Sequence, residues 1–243
     1  MAAPVIETQQ SDDTGGSVAT SLTINKPTGT VQGDLLLLIA GDDNSSVSPR
    51  GFTTISGWTE QVDDGSSNSD SQINIQTKVA GASEPSTYTL EDVSSFEIWA
   101  ETYRISGVDT TTPVNVVGST NISGFAPAGT TPAPGLTTTV DDCLVFAAFA
   151  FSGGDAHPTT VSGTGWTENI ERSSGTGSSD ASGGIATTTQ TTAGTTADCT
   201  FDPNVTDGWV AVQIAIAPSS ATATGTGTVT IITPGLLLTG AGG

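Results

Sequence analysis

The sequence predicts an all-β protein: an antiparallel, jelly-roll-like β-sandwich built from an internal duplication, with an extended C-terminal arm. Three observations predict this. Apolar runs of strand length recur between clusters of Gly, Ser, Thr and Asp. No window of a dozen residues carries a convincing 3.6-residue apolar period, so almost no helix is expected. One pattern of segments occurs twice, and self-similarity at a fixed offset is the signature of a repeated structural unit.

The elements follow in order. Residues 5–9 (VIETQ) form an opening strand. Residues 21–24 are the Thr-rich strand that starts copy one, followed by a turn ending in Asp34. Residues 34–40 (DLLLLIA) are continuously apolar after Asp34; the lack of alternation predicts a strand covered on both faces. After a polar loop comes Gly57-Trp58-Thr59-Glu60, then strands at 72–79, 86–91 and 94–105. A short connector at 114–117 leads to copy two. There, 136–140 corresponds to the Thr-rich strand and 143–151 (CLVFAAFAF) to the apolar strand. Gly165-Trp166-Thr167-Glu168 repeats the tetrapeptide, and strands follow at 181–190, 196–201 and 208–217. Glu60 and Glu168, like Asp34 and Asp142, lie 108 apart in the numbering, and Trp99 and Trp209 lie 110 apart. Together these segments make about twelve strands, at the spacing of a sandwich.

The expected organisation is a duplicated sandwich over residues 1–218, with copy one at about 18–110 and copy two at about 134–218, and an arm at 219–243. One sandwich with interleaved halves is preferred because APAGTTPAP at 126–134 runs directly into the next strand. Two separate domains are the alternative. The expected core includes Leu35, Leu37, Ile39, Trp58, Trp99, Val145, Trp166, Trp209 and Ile214. The equivalent placement of the tryptophans favours core packing over an exposed sugar-stacking platform.

The chain carries 25 acidic and 5 basic residues, a net charge of −20. Such a field repels phosphate backbones and anionic bilayers, so neither nucleic acid nor membrane is an expected partner. The segment MAAPVIETQQ lacks the basic and apolar regions of a secretory signal. No apolar run approaches the ~20 residues of a membrane span.

No motif specifies catalysis, and no cofactor is expected. His157 is the single histidine and lies among turn formers, with no nucleophile elbow in the chain. Glu60, Glu97, Glu101 and Glu168 could serve as paired carboxylates, but Glu60 and Glu168 hold equivalent repeat positions. Alternation in FEIWAE puts Glu97 and Glu101 on one face, expected to meet solvent. Asp42, Asp43, Asp63 and Asp64 are calcium candidates by donor type alone, because no loop pattern accompanies them. Cys143 and Cys199 read as buried small apolar residues, with a disulfide as the alternative.

The arm is low in complexity but contains VTII and LLL. Val229, Ile231, Ile232, Leu236, Leu237 and Leu238 are the candidate assembly residues, expected to dock at a sheet edge of a neighbouring subunit or on an underlying shell.

The segments INKPTGTVQGDLLLLIAG, GWTEQ, KVAGASEPSTYTL and YRISGVDTTTPV resemble a group of β-sandwich virion proteins of tailed bacteriophages. In that group, GDLLL, GWT, EPSTYT and YRGVD segments recur in this order. The likeness covers roughly residues 23–113, with weaker echoes at 136–218. The last segment departs from the pattern by two extra residues. The resemblance implies a non-enzymatic structural protein located in the virion, with capsid decoration the leading expectation. Its partners would be a homo-oligomer, a trimer favoured, and a major capsid or other virion protein. A glycan-binding tail module, and an extracellular adhesin or filament subunit, are the alternatives.

Overall fold

A computed structural model describes residues 2–43, 51–66, 70–126, 131–153, 158–177, 180–203 and 207–220. Seventeen strands and no helix occur among them. The first half contains β1 (Val5–Asp13), β2 (Ala19–Asn25), β3 (Leu35–Asp42), β4 (Phe52–Thr53), β5 (Thr59–Ser66), β6 (Ser71–Val79), β7 (Thr87–Phe96) and β8 (Ile98–Ser106). A connector strand, β9 (Val114–Val117), follows. The second half contains β10 (Asn121–Ala126), β11 (Thr131–Ala133), β12 (Cys143–Ser152), β13 (Pro158–Ser162), β14 (Thr167–Ser173), β15 (Ala181–Gln190), β16 (Cys199–Pro203) and β17 (Asp207–Ile216).

Each half makes two antiparallel sheets. In the first half these are β1-β8-β3-β6-β5 and β2-β7-β4; in the second, β10-β17-β12-β15-β14 and β11-β16-β13, with β9 added beside β17. The two orders match strand for strand: first, eighth, third, sixth, fifth in one sheet, and second, seventh, fourth in the other. The halves therefore do not interleave. Every ladder among the described residues joins strands of one half, apart from an isolated bridge between Val108 and Pro218. The expected mixed sandwich gives way to four layers, in which the two larger sheets face each other.

The burial pattern explains this stacking. On β3, Leu35, Leu37 and Ile39 face the second half, while Leu36, Leu38 and Ala40 face the outer sheet of the first. On β12, Leu144, Phe146, Ala148 and Ala150 face the first half; Val145, Ala147, Phe149 and Phe151 point outward to their own small sheet. All eight residues of β3 and all ten of β12 are buried. A strand flanked on both faces has no solvent side to carry polar residues, which accounts for the unbroken apolar runs.

The central core is joined by specific shapes. Trp99, on β8, points into the space between halves and is fully buried. Gly41 leaves room beside it, because a Cβ there would come within 2.7 Å of the indole nitrogen. Across the junction, a Cβ on Gly183 would collide with the Trp99 ring. Tyr103 of the first half packs on Phe146 of the second, with ring centroids 5.1 Å apart. Gly184, the next residue of β15, admits Phe201 on the opposite face. Paired glycines thus thin β15 on both sides, a close-approach use that outweighs their entropic cost in a strand.

Several sequence expectations shift by small amounts. The 181–190 and 114–117 strands have the expected bounds. Residues 136–140 form no strand; Thr137 makes only an isolated bridge to Thr195, and β11 supplies the second strand of this half. Gly33 and Asp142 both adopt left-handed backbone, with φ of 91° and 59°. Facing residues therefore pair Leu35 with Leu144, one residue off the spacing of the aspartates. Trp99 and Trp209 are likewise not equivalent: Trp99 faces the other half, and Trp209 faces its own outer sheet. The remaining expected core residues are buried, except Trp166, which is half-buried and donates its indole N–H to the Ala197 carbonyl at 3.3 Å.

The Trp99 slot makes a direct prediction. Gly183→Ala adds a methyl group where the indole already sits and should cost about 1–3 kcal/mol, the range of overpacking substitutions. Denaturant unfolding measures it, and a loss below about 0.5 kcal/mol, within ordinary surface variation, would show that the slot is not tight.

Candidate functional site

The sequence-predicted residues do not converge. β5 lies over β10, whereas β14 lies over β8. Glu60 and Glu168 therefore sit at opposite lateral edges of the stacked sheets, both exposed. Glu60 accepts a hydrogen bond from Thr54 at 2.9 Å. His157 and the candidate assembly residues Val229, Ile231, Ile232, Leu236, Leu237 and Leu238 lie outside the described residues. Asp42 ends β3 fully buried; Asp43 follows it, and Asp63 and Asp64 lie on β5. No group of three His, Cys, Asp or Glu side chains gathers closely enough to hold an ion among the described residues. Cys143 and Cys199 are both free and buried in different clusters, and burial raises their thiol pKa values to about 11 and about 12.

Glu97 and Glu101 require a correction. Both are buried rather than exposed to solvent: Glu97 lies in the link between β7 and β8, and Glu101, on β8, is fully buried at the junction between halves. Its Oε2 accepts from the Ser11 hydroxyl at 2.5 Å and lies 3.8 Å from Nε of Arg172, on β14 of the other half. Arg172 also approaches Asp13 at 3.7 Å. Burial raises the Glu101 pKa, and the Ser11 bond and Arg172 oppose that rise. The isolated FEIWAE segment could not reveal this, because alternation identifies a shared face and not what covers it.

A second polar cluster lies under β4 in the first half. Ile73 and Ile75 of β6 face the central core, so Gln72, Asn74 and Gln76 point outward, yet they too are buried. β4 is only two residues long, and the chain beside it uses these amides as backbone partners. Gly51 N–H donates to Gln72 and Ile55 N–H to Gln76, at 3.0 and 2.9 Å. Gln76 donates to Asn74, and both Gln72 and Asn74 donate to Asp63. Asp92 of β7 is 5% exposed and accepts from Ser94 N–H at 2.8 Å. Burial first, then the negative charge of Asp63, pushes its carboxyl up to about 6.

Beside this cluster is a surface groove of about 450 Å³, lined by Thr53, Thr54, Ile55, Tyr88, Thr89 and Glu91. Its floor is apolar: Ile55 and Tyr88 are buried, and Trp58 meets Tyr88 edge-on at 5.1 Å. Tyr88 donates to Glu84, which also pairs with Lys78 at 2.7 Å. Glu91 stands at its rim, and the Ser56 and Thr hydroxyls, one of them bonded to Glu60, give the walls their polar groups.

Comparison of the chain with protein-family models, with curated proteins and with solved structures finds no match.

Two outcomes test these electrostatics. Arg172→Met leaves Glu101 buried without its cation. The expected cost at neutral pH is roughly 2 kcal/mol, less than for a fully buried pair because Arg172 keeps 24% side-chain exposure. The loss should shrink on acidification as Glu101 takes a proton, and Glu101→Gln in the same chain should recover most of it. For Asp92 the folded pKa is raised, so its favourable contribution is complete below the unfolded value near 4 and lost as pH rises through about 6. Asp92→Asn should therefore raise stability by about 1 kcal/mol at pH 7.5 and leave it unchanged at pH 3.5. Thermal unfolding at both pH values checks the sign, and equal gains at both would contradict it.

Proposed function

We propose that the chain is a non-enzymatic structural protein of a virion, with capsid decoration on a tailed-bacteriophage head as the leading reading, and that its two halves descend from one duplicated jelly-roll-like unit. The observation that carries the proposal is how the polar and aromatic side chains are used. Trp58, Trp99 and Trp209 are core residues; Glu101, Gln72, Asn74, Gln76 and Gln213 are buried partners of the fold. Gln213, for example, donates to the Ala133 and Ala197 carbonyls and accepts from Thr196. These groups hold sheets together. The matching strand order supports the duplication, and the bacteriophage-like segments lie on β2 to β8 and the turn after them.

The acidic surface fits a subunit that packs on a protein shell at high local concentration without aggregating, since like charge opposes indiscriminate contact. Edge strands carry the same protection: Glu7, Asp12 and Asp13 on β1, Glu60, Asp63 and Asp64 on β5, Glu168 and Glu171 on β14. The glycan-binding reading calls for exposed aromatic platforms, and no described Trp is exposed.

The test is sedimentation of the purified chain, alone and with undecorated heads of a tailed bacteriophage. The expected result is a closed homo-oligomer several times the 24.3 kDa chain mass that co-sediments with heads. A chain that stays monomeric at all concentrations and leaves the heads bare would overturn the proposal.

A further inference from the structure

The geometry points to the open half of the β7 edge as the acceptor for an extended strand, residues 228–233 (TVTIIT), supplied by the C-terminal arm of a second copy of this chain. This rests on the structural-protein reading and names the contact through which copies would join.

β7 has ten residues, and β2 pairs along one side of it from Thr87 to Phe96. On the other side β4 covers only Glu91 and Asp92. After Thr53 the chain turns inward, where Ile55 N–H is taken by Gln76 and the Ile55 side chain enters the core. Residues 87–90 of β7 are therefore left without a neighbouring strand on that side, among the described residues, and the groove lies where that strand would run. A row of unpaired main-chain donors and acceptors is a template for strand addition.

Several other edges are managed differently. β1, β5 and β14 carry the carboxylates named above. β9 and β10 are crossed by the following segment, through Asn115 with Thr139 and Asn121 with the Pro132 carbonyl. β2 and the turn after it are tied to β1, by Asp12 with Asn25 and by the Thr8 hydroxyl with the Thr28 carbonyl. Along residues 87–90 of β7 the side chains are Thr, Tyr, Thr and Leu, with no charge.

The occupant follows from the arm. No residue after Asp207 is charged, so in a chain of net charge −20 the arm can approach an acidic neighbour without repulsion. Residues 228–231 alternate, all of 228–233 are β-branched and suited to a strand, and Pro234 stops further pairing. The described chain ends at Ser220 in a shallow depression with Val108 and Asp109. Eight further residues reach about 26 Å, enough to leave the parent subunit before residue 228.

The experiment compares the full chain, a chain ending at Ser220, and full-length Thr89→Lys by sedimentation and by hydrogen exchange of the 87–90 amides. Thr89 is exposed on the outer face, so the lysine should leave the fold intact, with an unchanged melting temperature as the check. The full chain should self-associate and show exchange at 87–90 at least tenfold slower than the truncated chain. Thr89→Lys should lose both properties, and a synthetic peptide of residues 226–234 should restore the protection to the truncated chain. Equal exchange at 87–90 in full and truncated chains would overturn the assignment. So would protection in a full chain that stays monomeric, because the arm would then bind its own subunit. If the truncated chain still assembles or binds heads, the edge assignment fails and the structural-protein reading stands; if the full chain does neither, that reading fails as well.

Discussion

The fold depends on the contact between the two large sheets. Each half alone has an inner sheet whose far face is largely apolar: Leu35, Leu37, Ile39, Trp99 and Ile105 in one, Leu144, Phe146, Ile185, Val212 and Ile214 in the other. Burying a side chain of this size contributes about 1.5–3 kcal/mol relative to leaving it exposed, so a half on its own would present an aggregation-prone surface. Facing the sheets removes both surfaces at once. The indole of Trp99, seated against Gly183, fixes where one sheet lies on the other, and the Glu101–Arg172 contact places a charged pair where a slipped arrangement would leave both ions buried apart.

From this contact the remaining features follow. The central strands must be apolar on both faces, which sets the unbroken runs of β3 and β12. The outer sheets need cover only one face of each inner sheet and can be small, three strands each. Where β4 shortens to two residues, the amides of Gln72 and Gln76 supply the hydrogen bonds that a longer strand would have made, in keeping with the rule that buried backbone groups find partners. The same shortening leaves β7 open.

Much of this was legible in the sequence and the rest was not, for physical reasons. Composition and period identified an all-β chain, and the DLLLLIA and CLVFAAFAF runs identified strands covered on both faces. They could not say that the second cover was the other half of the same chain. Because side chains alternate with a period of two, an offset error of one residue reverses the face. The offset of Trp99 and Trp209 looks like equivalence in the sequence and yet puts one indole at the junction and the other under an outer sheet. Glu101 is covered by the other half and Glu97 lies outside β8, because alternation over FEIWAE shows neither where the strand begins nor what covers its face. The adjacent Gly183 and Gly184 were the available clue, since glycine inside a strand pattern marks a close approach. β11 and β13 are too short to leave a pattern.

The central claim is that the two halves form one cooperative body through their inner sheets. Native-state hydrogen exchange under increasing denaturant measures this directly, because amides that open together converge on a single opening free energy. The account predicts that the β3 and β12 amides are the most protected in the chain and merge into one global unfolding transition. If the β3 amides open at a free energy distinct from those of β12, with each half unfolding while the other stays protected, the inner-sheet contact is incidental and the account is contradicted.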